Sequence, residues 1–209
     1  MLKRFIILAI GLLTNVLAFT QHEKGNINNN VHNTARWIVL RGSSLRVDGS
    51  TNINKFSCEI EDYNNPDTIS IFRNNIKEQV FAMKGNLSLD VMGFNCHNPM
   101  MTSDLRKTLK SKEFPRLSIR FISLSKLPDI KNPQEQITGW VDIEIAGVIK
   151  RFDVNYRFTT DQQRNIHLIG TRAVNFSDFN LIPPRKLGGM IKANERLDVE
   201  FHLVLKTIG

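Results

Sequence analysis

Cys58 and Cys96 are the only thiols in the 209-residue chain, and His97 directly follows the second. Thiolate and imidazole are both zinc ligands by type. Their placement argues against a shared ion. In extended backbone, adjacent side chains point to opposite faces, so Cys96 and His97 diverge. No Cys-x-x-Cys or His-x-x-x-His pattern is present, and His22, His32, His167 and His202 stand alone in the sequence. Each of these reads as a surface or internally satisfied histidine, and no metal or cofactor is expected. In an exported chain the two cysteines read as a disulfide, worth roughly 2–4 kcal/mol for a loop of this length. Two small buried thiols are the alternative, and the distance between the two Cα atoms decides between them.

Hydrolytic chemistry fares no better. Ser103-Asp104 and Ser177-Asp178 each pair a nucleophile with an acid, but no histidine is tied to either. Asp142 and Glu144 are spaced as paired carboxylates, yet they fall on the polar face of an alternating segment, where solvation is the simpler expectation. There is no Gly-x-Ser-x-Gly elbow, Walker loop or dinucleotide-binding glycine fingerprint. The residue types point away from an enzyme.

The elements that would position any site are strands. Leu197, Val199, Phe201, Leu203 and Leu205 alternate with Asp198, Glu200, His202 and Val204. Similar alternation runs through Leu87–Val91, Leu117–Phe121, Val141–Ile145 and Phe152–Phe158. A period of two marks a half-buried strand, and clean alternation favours antiparallel pairing. Further strands are expected near 35–40, 44–47, 54–60, 68–72, 80–91 and 165–174. Turns are expected at 49–52, 64–67, 147–148 and 161–163, with a bend at Gly85. One helix is expected, with Asn98 as N-cap, Pro99 at its first position, a stripe of Met101, Leu105 and Leu109, and Pro115 ending it. Many sequential antiparallel strands make a sandwich or a closed barrel.

The ends and the charge set the setting. Lys3 and Arg4, the apolar run Phe5–Leu13 and small residues near Ala18 read as a signal peptide over 1–20. Thr14 and Asn15 leave the apolar run short of the ~20 residues of a membrane span. The Asn-rich segment 21–34 reads as a flexible leader, and 35–209 as one domain. The expected location is periplasmic or secreted. The net charge is +8, and removing Lys3 and Arg4 leaves the remainder basic. Export disfavours nucleic acid as the partner. It leaves peripheral contact with envelope lipids, or solubility alone, as the meaning of the charge. Arg106, Lys107, Lys110 and Lys112 read as the solvated face of the helix.

Four landmarks together resemble the YceI-like family of exported lipid-binding proteins. They are Ser44-Leu45-Arg46-Val47-Asp48-Gly49-Ser50-Thr51-Asn52, then Asp104-Leu105 through Leu109-Lys110-Ser111-Lys112-Glu113-Phe114-Pro115 with Leu117-Ser118-Ile119-Arg120-Phe121, then Ile143-Glu144-Ile145-Ala146-Gly147-Val148-Ile149-Lys150, and last Asp178-Phe179, Pro183-Pro184 and the closing strand. The resemblance covers nearly all of 35–206. It implies an all-β fold, an antiparallel eight-stranded lipocalin-like barrel with one short helix. It also implies a non-enzymatic carrier that holds an isoprenoid or other long amphipathic lipid in an apolar interior. The lining residues would be Leu87, Leu89, Val91, Ile119, Phe121, Val141, Ile143, Ile145, Phe152, Val154, Tyr156, Phe158, Val199, Phe201 and Leu203. The same residues would equally fill a closed core, giving a ligand-free structural or stress-related envelope module that acts through surface loops such as Leu181–Lys192.

Overall fold

A computed structural model describes residues 32–73, 80–129, 132 and 135–208. The signal-peptide reading and residues 21–31 of the leader lie outside them. The strands are β1 (His32–Val39), β2 (Ser43–Ser50), β3 (Lys55–Tyr63), β4 (Thr68–Arg73), β5 (Phe81–Lys84), β6 (Asn86–Asp90), β7 (Arg116–Leu124), β8 (Ile137–Ile145), β9 (Val148–Thr160), β10 (Ile166–Asn175), β11 (Arg185–Lys186), β12 (Ile191–Lys192) and β13 (Arg196–Thr207). The helix α1 is Pro99–Thr108. β1 begins at His32, where the alternation had placed the first strand at Ala35.

The circuit β1-β4-β5-β7-β8-β9-β10-β13 closes through β13 onto β1, giving an eight-stranded antiparallel barrel. The remaining long strands continue this circuit. Along β13, β1 pairs at Val39↔Leu205 and β2 at Ser44↔His202, so β1 and β2 form one barrel strand broken at Leu40–Gly42. Gly42, with φ +84, makes the break, and the Ser43 hydroxyl patches it by donating to Leu40 O and accepting from Val204 N–H. β3 and β4 are likewise one strand broken at 64–67, and β5 and β6 one strand broken at Gly85. At the second break the buried Tyr63 hydroxyl binds Asp67 and accepts the Ser88 N–H. The bend expected at Gly85 is present.

Other boundaries moved for local reasons. The β8–β9 turn uses Ala146 and Gly147, both at positive φ, rather than Gly147 and Val148. β2 runs on through Ser50, and the turn after it is 51–54, closed by Thr51 N–H to Asn54 O. A bulge between Phe121 and Ser123 shifts the phase of β7, which is why Leu124 is buried although it opposes Phe121 in simple alternation. Asn98 caps α1 through the Met101 N–H, as its position suggested. The helix stops earlier than Pro115, however. Lys110 takes φ 53, Lys110 N–H bonds Lys107 O, and Ser111 N–H bonds Arg106 O, which is a Schellman stop. Lys110 and Lys112 therefore lie beyond the helix.

The barrel has two unlike ends. One carries the 51–54 turn, α1, the 146–147 turn and the 176–195 segment. The other carries the start of β1 and the 161–165 turn. Near the second end the interior is filled by rings. Phe158 meets Trp37 and Tyr156 at 6.0 and 6.4 Å, and Phe201 meets Tyr156 and Phe121 at 6.0 and 5.8 Å. Gly170 makes room for this stack, because a Cβ there would lie 2.2 Å from the Phe201 ring. The Tyr156 hydroxyl is buried among these rings with no hydrogen-bond partner among the described residues, and burial pushes its pKa up.

The outer wall also holds buried charge. Asp142, which alternation placed on a solvated face, is only 6% exposed. Its cross-strand neighbours Arg120 and Arg151 fold over it, with Arg151 Nε 2.7 Å from Oδ1. The Arg151 hydrogen bond, helped by Arg120 and opposed by burial, lowers its pKa from 3.8 to about 2. His167 and His202 are not isolated either. Their rings stack at 5.0 Å and share a hydrogen bond across β10 and β13.

Two outcomes follow. Tyr156→Phe removes an orphaned buried hydroxyl and should raise the unfolding free energy by about 1 kcal/mol in urea titrations. Asp142 is depressed in the fold, so its contribution is complete above pH 3.8 and is lost as pH falls through about 2. Asp142→Asn should be less stable at neutral pH and should lack that acid-dependent decline.

Candidate functional site

The barrel is not hydrogen-bonded all the way round. Among the described residues β3 and β6 form no ladder, although they flank each other at the α1 end. The chain after β6 closes this seam. Asn95 exchanges two backbone hydrogen bonds of 2.8 Å with Glu59. Next to that bridge Cys58 and Cys96 are bonded to each other, with their Cα atoms 3.9 Å apart. Cys96 thus turns inward and His97 outward, where its Nε2 donates to Glu59 Oε1 at 2.8 Å. The divergence expected of neighbouring side chains is what the backbone does here.

From this anchored seam α1 crosses the barrel mouth. The Cys96 N–H donates to Thr102 Oγ1, and Arg106 donates to Phe94 O, so the helix is tied back to the bridging segment. Its apolar stripe faces inward, with Leu105 and Leu109 buried and Met101 packed on the core. On the opposite side of the mouth, Phe176–Phe179 form a short 3-10 turn that points both phenylalanines inward. Asp178 positions this turn, accepting from Asn175 N–H at 2.7 Å and pairing with Lys150. Burial pushes its pKa up, but Lys150 and the Asn175 N–H outweigh this and leave it lowered.

Two spaces result. A mouth cleft of about 230 Å³ opens between α1, the 51–54 turn and the β11–β12 hairpin, with walls that include Ile53, Phe56, Met100, Met101, Leu105, Phe176 and Ile191. Its charged lining residues, Asp104 of α1 and Lys186 of the hairpin, pair across it at 2.9 Å. Behind Leu105 lies a wholly apolar chamber of about 60 Å³, bounded by residues that include Leu45, Phe94, Leu117, Val174, Phe179 and Leu197. Leu105 is common to both walls. A broader groove of about 1030 Å³ runs outside the barrel past Arg106, Lys107, Lys110 and Lys112. It is open, and none of its lining residues belongs to the hydrophobic core.

Every residue named from alternation as a lining candidate is buried, except Ile145 and Val199, which are half-buried and packed against the core. Only Ile119, Ile143, Ile145 and Val199 of that set border the chamber. Phe121, Tyr156, Phe158 and Phe201 belong to the aromatic stack instead. Phe94, Leu105, Leu109, Phe176 and Phe179 were not among the candidates, because they sit on a helix, a turn and a bridge where a period of two carries no information. Among the described residues no helix is long and apolar enough to cross a membrane.

No family model matches the sequence, and no curated protein aligns with it. Solved structures do match in shape. A polyisoprenoid-binding domain from Saccharophagus degradans, implicated in plant cell wall breakdown, aligns with TM-score 0.55 at 12% identity, covering 85% of this chain and 100% of its own. BcnA from Burkholderia cenocepacia aligns with TM-score 0.53 at 13% identity, covering 78% of this chain and 94% of its own. The chain therefore shares its fold with these two structures, and that fold is the eight-stranded antiparallel barrel expected from the sequence.

The seam makes one testable claim. Replacing both cysteines with alanine should lower the unfolding free energy by roughly 2–4 kcal/mol. Hydrogen exchange should rise first in 91–109, the segment the bond holds against β3, and not in β8–β10.

Proposed function

We propose that this protein is an exported, non-enzymatic carrier that holds an isoprenoid or other long amphipathic lipid through the mouth cleft. The observation that carries the reading is the apolar cleft and the apolar chamber, which share Leu105 in their walls. The similarity in fold to a polyisoprenoid-binding domain supports the same ligand class, and the segment 1–20 supports export. The tail lies along Met101, Phe56 and Ile191, and the polar head stays at the Asp104–Lys186 pair. Burial contributes about 0.8 kcal/mol per methylene, so even a partly inserted tail gains several kcal/mol before ordering costs. Full insertion requires Leu105 and Leu109 to withdraw with α1, because the chamber is smaller than the ~150 Å³ cavity that accepts benzene in a well-studied case.

That small chamber favours a second reading, in which the core is closed and the protein acts through its loops without a ligand. Native mass spectrometry after gentle purification separates the two. The carrier predicts a stoichiometric lipid adduct, or uptake from a lipid panel with a rise in melting temperature. Met101→Arg, at the cleft wall and only half-buried, should keep the fold and weaken lipid retention at least about tenfold. A ligand-free protein that ignores the panel would sink the carrier reading.

A further inference from the structure

Of the ten large apolar side chains left exposed among the described residues, four stand on the turn, helix and hairpin around the cleft, and Val80, Met92, Leu127, Trp140, Ile149 and Ile182 stand on other segments. Ile53, Met100, Leu187 and Met190 are 59%, 65%, 69% and 75% exposed, and all belong to the turn, helix and hairpin that surround the cleft. The hairpin carries the two most exposed of these four. β11 and β12 pair at Arg185↔Lys192 and Lys186↔Ile191, so the connecting residues 187–190 form a tip that carries Leu187 and Met190. Arg185 and Lys192 sit opposite each other at its foot. Among the described residues neither takes part in an ion pair, whereas Lys186 is matched by Asp104.

The tip is held in place. Asn52 of the 51–54 turn donates from Nδ2 to Met190 O at 2.8 Å, and its Oδ1 accepts the Lys192 N–H at 3.0 Å. Thr51 bridges Ala193, and Asn194 N–H donates to Ser50 O. Ile53 is thereby fixed beside Met190. Two adjacent loop tips present apolar side chains outward, with unpaired cations set just behind them.

We propose that this end of the barrel docks on an anionic lipid bilayer. Ile53, Leu187 and Met190 enter the boundary between headgroups and acyl chains, while Arg185 and Lys192 meet the lipid phosphates. Apolar side chains inserted to shallow depth beside a few cations are the combination that binds such an interface. The apolar groups stand on separate tips and do not make the continuous flat patch that a protein partner would cover. The positive charge of the chain acts in the same direction. In this pose the cleft opens between the docking tips, toward the lipid. The docking stands on these exposed residues alone and does not depend on a lipid occupying the cleft.

A local probe tests this without interference from residues 1–31. Met190→Cys carries a polarity-sensitive fluorophore in the full chain, and Val80→Cys carries the same label at the far end of the barrel. Vesicles of phosphatidylcholine with phosphatidylglycerol should brighten and blue-shift the probe at 190 and leave that at 80 unchanged. Phosphatidylcholine alone should give a much weaker response. Adding Arg185→Glu and Lys192→Glu should weaken the response to the anionic vesicles about tenfold or more. An unresponsive probe at 190, or equal responses at both positions, would overturn the proposal. A change at 190 that follows protein concentration without vesicles would assign the surface to a second copy of the chain and overturn it as well. Loss of the lipid adduct in mass spectrometry with the vesicle response intact would count against the carrier reading and not against docking.

Discussion

A barrel wall escapes the hazard of free strand edges only where each strand is paired with the next. Here one junction, β3 against β6, is not made by a ladder, and the molecule's distinctive features gather around that gap. Its closure rests on the 91–98 segment, pinned by the Glu59–Asn95 bridge and the Cys58–Cys96 bond. Because the pinned segment runs straight into Asn98 and Pro99, the same closure sets where α1 starts. The helix then covers the mouth with Met101, Leu105 and Leu109, and the cleft is the space it leaves against the hairpin.

The opposite end shows why open volume occurs where it does. Paired strands there bring Trp37, Phe121, Tyr156, Phe158 and Phe201 into one stack, and large rings fill an eight-stranded interior without help from outside the wall. At the mouth, part of the fill comes from Leu105, Leu109, Phe94 and Phe179, carried on the helix, its end and short turns. Side chains carried on a helix and a turn pack less completely than rings fixed by two neighbouring strands. The residual chamber lies among them.

The same contrast explains what could be read from the sequence. β9 and β13 were legible because each is long, alternates cleanly and buries one face, and β10, expected at 165–174, is Ile166–Asn175 although its sequence alternates less cleanly. The helix start was legible from Asn98-Pro99, but its end was not, because the Lys110 stop depends on a left-handed lysine that propensity disfavours. Alternation correctly placed Asp142 on the outer face. It could not show that Arg120 and Arg151, from the strands on either side, would cover the carboxylate, because that depends on cross-strand register. The His167–His202 stack was hidden for the same reason, being a cross-strand relation set by the Ile169↔His202 register. Of the residues around the chamber, the candidates named from the sequence include Ile119, Ile143, Ile145 and Val199, but not Leu45, Val47, Leu117, Val174 and Leu197 on other parts of the strands, nor the residues of the helix and turn.

Movement at the mouth is constrained by how α1 is attached. The segment before it is bound to β3 through Cys96, Thr102 in its first turns accepts the Cys96 N–H, and Arg106 in its last turn donates to Phe94 O. Toward the hairpin it has the Asp104–Lys186 pair, which is partly exposed and therefore weak in water. Its C-terminal side ends at the Schellman stop and a short run of turns before β7. A swing of the helix about its disulfide-anchored start, which would lift Leu105 and Leu109, has to part Asp104 from Lys186 and Arg106 from Phe94 O. The bond that closes the seam is then also the fixed point about which the mouth would open. A charged lipid head competing for Lys186 would favour the open arrangement by replacing the interaction that opening breaks.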